Sequence, residues 1–201
     1  YVASLNSKRR NAARKELELS GGLPAMHPID TSDSALLSRC AGLATQTQAR
    51  HGHSASEEGM RMYREKCVAA GFEAVAFIYG PVDCPAACTH ALVAANRLWV
   101  RLVGLDYGPS GDTQGRYPGV LAYGPVAFGA LRGLEAVNLG AGNAAFKRHR
   151  GAQNSARWSL LFPPAGVSID TEAVRVANSQ AARRLGVVDA ERLHSPYDLI
   201  S

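Results

Sequence analysis

The spacing of apolar and polar residues changes along the chain, and each change marks an element. Over residues 1–19, Val2, Leu5, Ala12, Leu17 and Leu19 are interspersed with Lys8, Arg9, Arg10, Arg14 and Lys15, with no internal Gly or Pro. That predicts a basic helix, ended by Gly21 and Gly22. Leu23 to Ile29 alternates in the manner of a short strand, and Asp30 to Ser34 supplies caps for a helix running to about Arg50. Ser54 to Ser56 caps a further helix, with an apolar face expected at Met60, Tyr63, Cys67 and Val68 and a stop at Gly71.

From residue 73 the period becomes that of strands. Residues 73–81, 84–95 and 97–107 are rich in Val and aromatics and are separated by Gly80 to Asp83 and by Asn96, which predicts consecutive antiparallel strands in a meander. A Gly- and Pro-rich stretch, 108–119, leads into an apolar helix over 120–132 that Gly133 ends. A strand over 135–139, a turn over 140–143, a short basic helix over 144–150 and a strand over 155–162 follow. A helix over 171–185 and a polar tail complete the chain. This order predicts an α+β fold: a central, mostly antiparallel twisted sheet with helices on both faces. The expected organisation is a basic N-terminal helix over 1–22, one sheet domain over 23–170, and a C-terminal helix and tail over 171–201.

Composition narrows the class. The 201 residues are 46% hydrophobic and 19% charged, the balance of a folding globular chain and not of a disordered one. No run approaches the roughly 18 apolar residues of a membrane span, and the basic start lacks the apolar stretch of a secretory signal, so the cytoplasm is the expected location. The first residue is Tyr1, which leaves open a processed product or the second part of a longer protein. An excess of 22 Lys+Arg over 17 Asp+Glu, a net charge of +5, favours anionic partners such as phosphates, coenzymes or RNA. Cys40, Cys67, Cys84 and Cys88 follow no disulfide framework and are expected as reduced thiols. Cys84, Cys88 and His90 lack a fourth ligand and a usual spacing, so no metal is expected.

Two places can carry chemistry. In GRYPGVLAYG, residues 115–124, a loop enters a helix whose first N–H groups and positive dipole end can face an anion. Gly115 and Gly119 permit close backbone approach there, Arg116 beside Tyr117 can add a charge-assisted contact to a pyrophosphate, and an ordinary turn has the same pattern. In NLGAGNAAFKRHRGA, residues 138–152, Gly140 and Gly142 follow a strand directly and Asn143 can cap the next helix. Lys147, Arg148 and Arg150 then place cations beyond the strand end, Lys147 being the one best placed for a phosphate or a developing oxyanion. Candidate acids and bases are Asp106 and Tyr107 at the end of the central strand, Glu135 at the start of the next, and Tyr123 one turn into the helix. A P-loop and a G-x-S-x-G elbow are both absent from the sequence.

With these residues in view, the region from about 57 to 162 resembles the acyl-CoA N-acyltransferase (GNAT-like) superfamily, in particular its Fem-like/BioF2-like branch. The likeness rests on the element order and on Gly133, Gly140 and Gly142, the Phe146–Lys147 pair and Gly151. The opening SKRRNAARKELE is similar to the segment that precedes the second acyltransferase-like domain of Fem proteins. The resemblance implies acyl transfer to an amine on a small molecule or peptide, from a coenzyme A thioester or, in Fem-like enzymes, from aminoacyl-tRNA, without a metal. On that basis Lys147 stabilises charge, Asp106 or Glu135 is the general base, and Tyr123 or Tyr107 returns a proton. Arg116, Tyr117, Gly119, Gly142 and Asn143 hold the coenzyme. The sequence departs from the usual coenzyme loop at Leu121, where a small residue is expected. It also has one such domain where Fem-like ligases have two, so a preceding domain or a homodimer is expected. Three readings follow: an acyl-CoA-dependent N-acyltransferase, an aminoacyl-tRNA-dependent amide ligase, and a catalytically degenerate binding module of the same fold.

Overall fold

The computed structural model describes residues 2–29, 34–108, 113, 115–140, 142–153 and 168–185. It divides into two compact units, Tyr1–Ala152 and Gln153–Ser201. In the second, helix α7 (Thr171–Leu185) begins where the Asp170 carboxylate accepts the Ala173 N–H at 3.0 Å. The caps expected at 30–33 and the strand expected over 155–162 lie outside the described residues.

The first unit is an α+β layer built on a five-stranded sheet in the order β1-β2-β3-β4-β5. Its strands are β1 (Ala25–Ile29), β2 (Glu73–Tyr79), β3 (Ala87–Ala94), β4 (Arg97–Leu105) and β5 (Ala136–Asn138). The first four pair antiparallel, and β5 pairs with β4 in parallel. Pro28 is tolerated because β1 is an edge strand, where a missing donor costs no central ladder bond. Ala95 and Asn96, with φ of 49° and 56°, make the two-residue turn joining β3 to β4. Strand β3 starts later than the apolar run suggests, because Pro85 has no donor and the Cys84 N–H turns back to Pro81 O at 3.1 Å.

Helices cover both faces. On one, α2 (Ser34–Arg50) and α3 (Glu57–Ala69) bury Leu36, Leu37 and Cys40 against Ala76, Ile78, Cys88 and Leu92. A Cβ on Gly104 would come 2.6 Å from Leu43 Cβ and 2.7 Å from Ala44 N, so α2 rests on the bare backbone of β4. On the other face, Leu121 and Phe128 pack on Val75, Phe77, Leu98 and Val100, and the Phe77 and Phe128 rings meet edge-on at 5.8 Å. Burying each such side chain contributes about 1.5–3 kcal/mol. Helix α1 (Ser7–Ser20) starts with Asn6 Oδ1 accepting the Arg9 N–H and ends on Gly21 at φ 79°. Its buried Ala13 joins Leu5 and Tyr123 in a small cluster of its own.

The apolar stripe expected on α3 is displaced in one respect. Its fully buried residue is Arg64, while Tyr63 is exposed and its hydroxyl accepts from Arg101 Nε at 3.0 Å.

Candidate functional site

The parallel ladder between β4 and β5 is short, covering only Arg97↔Ala136, Leu98↔Val137 and Trp99↔Asn138. It stops because Asn138 Oδ1 accepts the Gly140 N–H at 2.8 Å and so diverts the chain from the ladder. Strand β4 continues to Leu105, and its register against β3 shifts between His90 and Ala91, so that Arg101 is the extra residue of a bulge. The bulge and the end of the parallel ladder therefore fall at the same level of the sheet. Beyond Trp99 the strands part, and the β4 edge has no β5 partner.

Two segments meet beside this divergence. The first is a continuous helix made of α4 (Arg116–Pro118), a π turn (Gly119–Tyr123) and α5 (Gly124–Leu131). The second is the turn at Gly142 and Asn143 with helix α6 (Ala144–His149). The Tyr117 and Phe146 rings lie 4.8 Å apart, tilted by 45°, with the Asn143 side chain near the Tyr117 hydroxyl. Both rings pack on the core with Val103 and Leu139 nearby, so the floor of the divergence is aromatic and apolar. Burial pushes the Tyr117 phenol above its ordinary range. Lys147 is buried against the same turn, its Nζ donating to Gly140 O at 2.9 Å, and burial lowers its pKa.

Helix α1 adds a carboxylate. Glu16 Oε2 accepts from the Tyr123 hydroxyl at 2.5 Å, and Glu16 Oε1 pairs with Arg150. The Arg150 guanidinium also lies 3.5 Å over the Phe146 ring and donates to Phe146 O at 3.1 Å. Burial, then the Glu16 carboxylate, push the Tyr123 phenol far up. Glu16, and its pairing with Arg150, escape sequence reasoning because the two residues meet across 134 positions, which leaves no local pattern.

The glycines expected at a coenzyme differ in their surroundings. A Cβ on Gly119 would lie 2.1 Å from Tyr79 Oη, and one on Gly115 would lie 2.6 Å from Glu16 O, so those close approaches are made to protein groups. Gly142, at φ 77°, has nothing within 4 Å of its Cβ position and is open beside exposed Asn143. Arg116 is half-buried at the first turn of α4. Gly119 thus sets how closely the helix meets β2. The π turn has a local cause: Pro125 has no N–H for Leu121 O, and the Gly124 N–H bonds instead to Gly119 O.

The candidate acids stand apart. Asp106 is exposed at the end of β4, where its Oδ1 accepts the Gly108 N–H at 2.9 Å. Glu135 is exposed at the opposite end of the seam and pairs with Arg97 at 2.6 Å. Tyr107 lies under the Arg50 guanidinium at 4.2 Å. On the α3 side of the bulge, Ser56, Gly59, Met60, Tyr63, Arg101 and Leu102 line a cavity of about 310 Å³. Among the described residues no three His, Cys, Asp or Glu side chains are grouped as metal ligands, and no helix is long and apolar enough to cross a membrane.

No family model matches the chain, and no curated protein matches it. Several solved structures are similar in fold. A predicted acetyltransferase with acetyl-CoA from Clostridium acetobutylicum has TM-score 0.49 and 14% identity, over 70% of this chain and 96% of that one. A possible acetyltransferase from Clostridium difficile 630 has TM-score 0.48 and 10% identity, over 71% and 98%. A GCN5-related N-acetyltransferase from Ralstonia eutropha JMP134 has TM-score 0.46 and 16% identity, over 71% and 99%.

Proposed function

We propose that the chain is a GNAT-like N-acyltransferase that moves an acyl group from a coenzyme A thioester to an amine on a small molecule or peptide. The observation that carries this reading is the parting of β4 from β5 at a bulge, with Tyr117, Asn143 and Lys147 gathered beside it. A strand edge that has no ladder partner among the described residues offers backbone N–H groups fixed in advance, and such donors stabilise the oxyanion that forms when an amine attacks an acyl carbonyl. Arg116, Tyr117, Gly142 and Asn143 would hold the carrier. Lys147 holds the Gly140 turn in shape and adds positive charge near the strand end.

Attack needs a neutral amine, and the leaving thiolate needs a proton. Asp106, solvated at the end of β4, is the base the geometry favours, through water; Glu135 is held by Arg97 away from the opened end. Tyr117 is the better proton donor, because the Tyr123 hydroxyl is already committed to Glu16 while Tyr117 stands at the divergence with its phenol kept protonated. The cavity beside Arg101 and Tyr63 is where we place the acceptor.

The test is coenzyme A release from acetyl-CoA against a panel of amines. Wild-type protein should release it in an amine-dependent way. Tyr117→Phe should slow turnover by about 100-fold or more. Lys147→Ala should cut transfer severely with unchanged circular dichroism. Full activity in both variants would remove these residues from the mechanism, and no release from any acyl-CoA would overturn the reading. One observation favours the aminoacyl-tRNA alternative: α1 exposes Lys8, Arg14 and Lys15 together. That reading requires RNA binding that weakens steeply with salt and is lost when these residues are neutralised.

A further inference from the structure

The cavity on the α3 side of the bulge has a chemistry of its own. Arg101, the extra residue of β4, stands at the level where β4 and β5 part. A bulge re-aims the side chain it carries, and this one crosses to α3. Its Nε donates to the Tyr63 hydroxyl at 3.0 Å, and the guanidinium carbon lies 5.7 Å from the centre of the Tyr63 ring. Arg61, Arg97, Arg132, Arg150 and Arg175 each hold a glutamate, whereas no carboxylate pairs with Arg101 among the described residues. The rest of the lining, Ala55, Ser56, Gly59, Met60 and Leu102, is neutral. One cation and no anion therefore face a space of about 310 Å³.

We propose, building on the acyl-transfer reading above, that the acceptor amine carries a carboxylate which Arg101 binds, and that it is a small amino carboxylate of the size of a free amino acid. The bond to Tyr63 holds the guanidinium through Nε and leaves Nη1 and Nη2, two parallel donors that match the two oxygens of a carboxylate. A single cation suits a monoanion; a phosphate dianion calls for more positive charge than this lining supplies. The volume stands at the small end of ligand sites, which favours a short acceptor.

Reach gives the same answer. The Arg101 backbone belongs to the opened strand edge, where the acyl carbonyl is proposed to sit, and its side chain spans from there to α3. An acceptor anchored on the guanidinium must return over one side-chain length to bring its amine to the carbonyl. A hydrogen bond and the few bonds between the amine and carboxylate of an amino acid cover that return. The Arg101 charge also disfavours protonation of an amine held near it, the direction that attack requires.

The test measures coenzyme A release from acetyl-CoA with each protein amino acid and with its carboxamide, in wild type and in Arg101→Gln. The same compounds are titrated into isotope-labelled protein without acetyl-CoA. Arg101 is exposed, so the substitution leaves the core untouched. For the amino acid it uses best, wild type should favour the acid over the carboxamide by about 10-fold or more in kcat/KM, through KM, and Arg101→Gln should abolish that preference. The acid should shift amides at 55–63 and 101–102, and these shifts should be lost in Arg101→Gln. Coenzyme A release with acid and carboxamide used equally, or a preference that survives in Arg101→Gln, would overturn the carboxylate site and leave acyl transfer standing. Carboxylate-dependent shifts without coenzyme A release would uphold the site and overturn the transfer. Shifts with neither compound would overturn the site.

Discussion

Glu16 shows how much a single side chain organises here. Its carboxylate binds the Tyr123 hydroxyl and the Arg150 guanidinium, and Arg150 is only 8% exposed. Glu16→Gln leaves that buried cation poorly compensated and should cost about 1–3 kcal/mol, measured as a lowered urea midpoint with an unchanged slope. His90 makes a prediction about acid. Its pKa is held down to about 3 in the fold, against 6.5 for an ordinary histidine. The unfolded chain therefore binds the proton that the fold refuses, and His90 lowers stability as pH falls from 6.5 toward 3, with no such effect above 6.5. The slope approaches about 1.4 kcal/mol per pH unit, and it should flatten in His90→Phe when stability is measured across that range. The turn before α6 was legible in position, because glycines directly after a strand are a local signal, but Asn143, expected to cap that helix, sits there at φ 42° and makes no side-chain cap hydrogen bond. Glu16 was not legible, since its partners lie 107 and 134 residues away. Arg64 was hidden differently: it sits inside the apolar stripe of α3, where a charge is expected to point to solvent.

At the scale of elements, hydrophobic period located the meander and the two helices before it, since β2, β3 and β4 are apolar runs bounded by turn residues. The helix after β4 was less legible. Its expected start was residue 120, but it begins at Arg116, because Pro118 fits a first helical turn and Gly115 supplies the left-handed residue before it. Its π turn depends on Pro125, which no apolar period reveals. The close packing of that turn gives a sharp expectation. Tyr79 is fixed under Gly119 by its hydroxyl, which donates to Gly22 O at 2.7 Å, so the ring cannot withdraw. Gly119→Ala should cost about 1–3 kcal/mol in thermal or urea unfolding, and a variant as stable as wild type would contradict the packing described. Helix α3 offers a milder case: Ser56 Oγ accepts the Gly59 N–H at 3.1 Å, and Ser56→Ala should cost about 1 kcal/mol.

For the molecule as a whole, the sheet pairs fully on one side and opens on the other, and the opening is where sequence-distant groups converge. The antiparallel pairing of β2, β3 and β4 could be inferred from their short connections; where β4 and β5 separate could not, because it is set by the Asn138 side chain and by a one-residue bulge. The proposed activity rests on that opening receiving a coenzyme thioester. The most direct measurement is an amide-shift titration of isotope-labelled protein with acetyl-CoA. Shifts centred on residues 101–105, 115–119 and 142–147 are what the account predicts. An absence of binding, or shifts confined to α1 or to the far side of the sheet around β1, would contradict it.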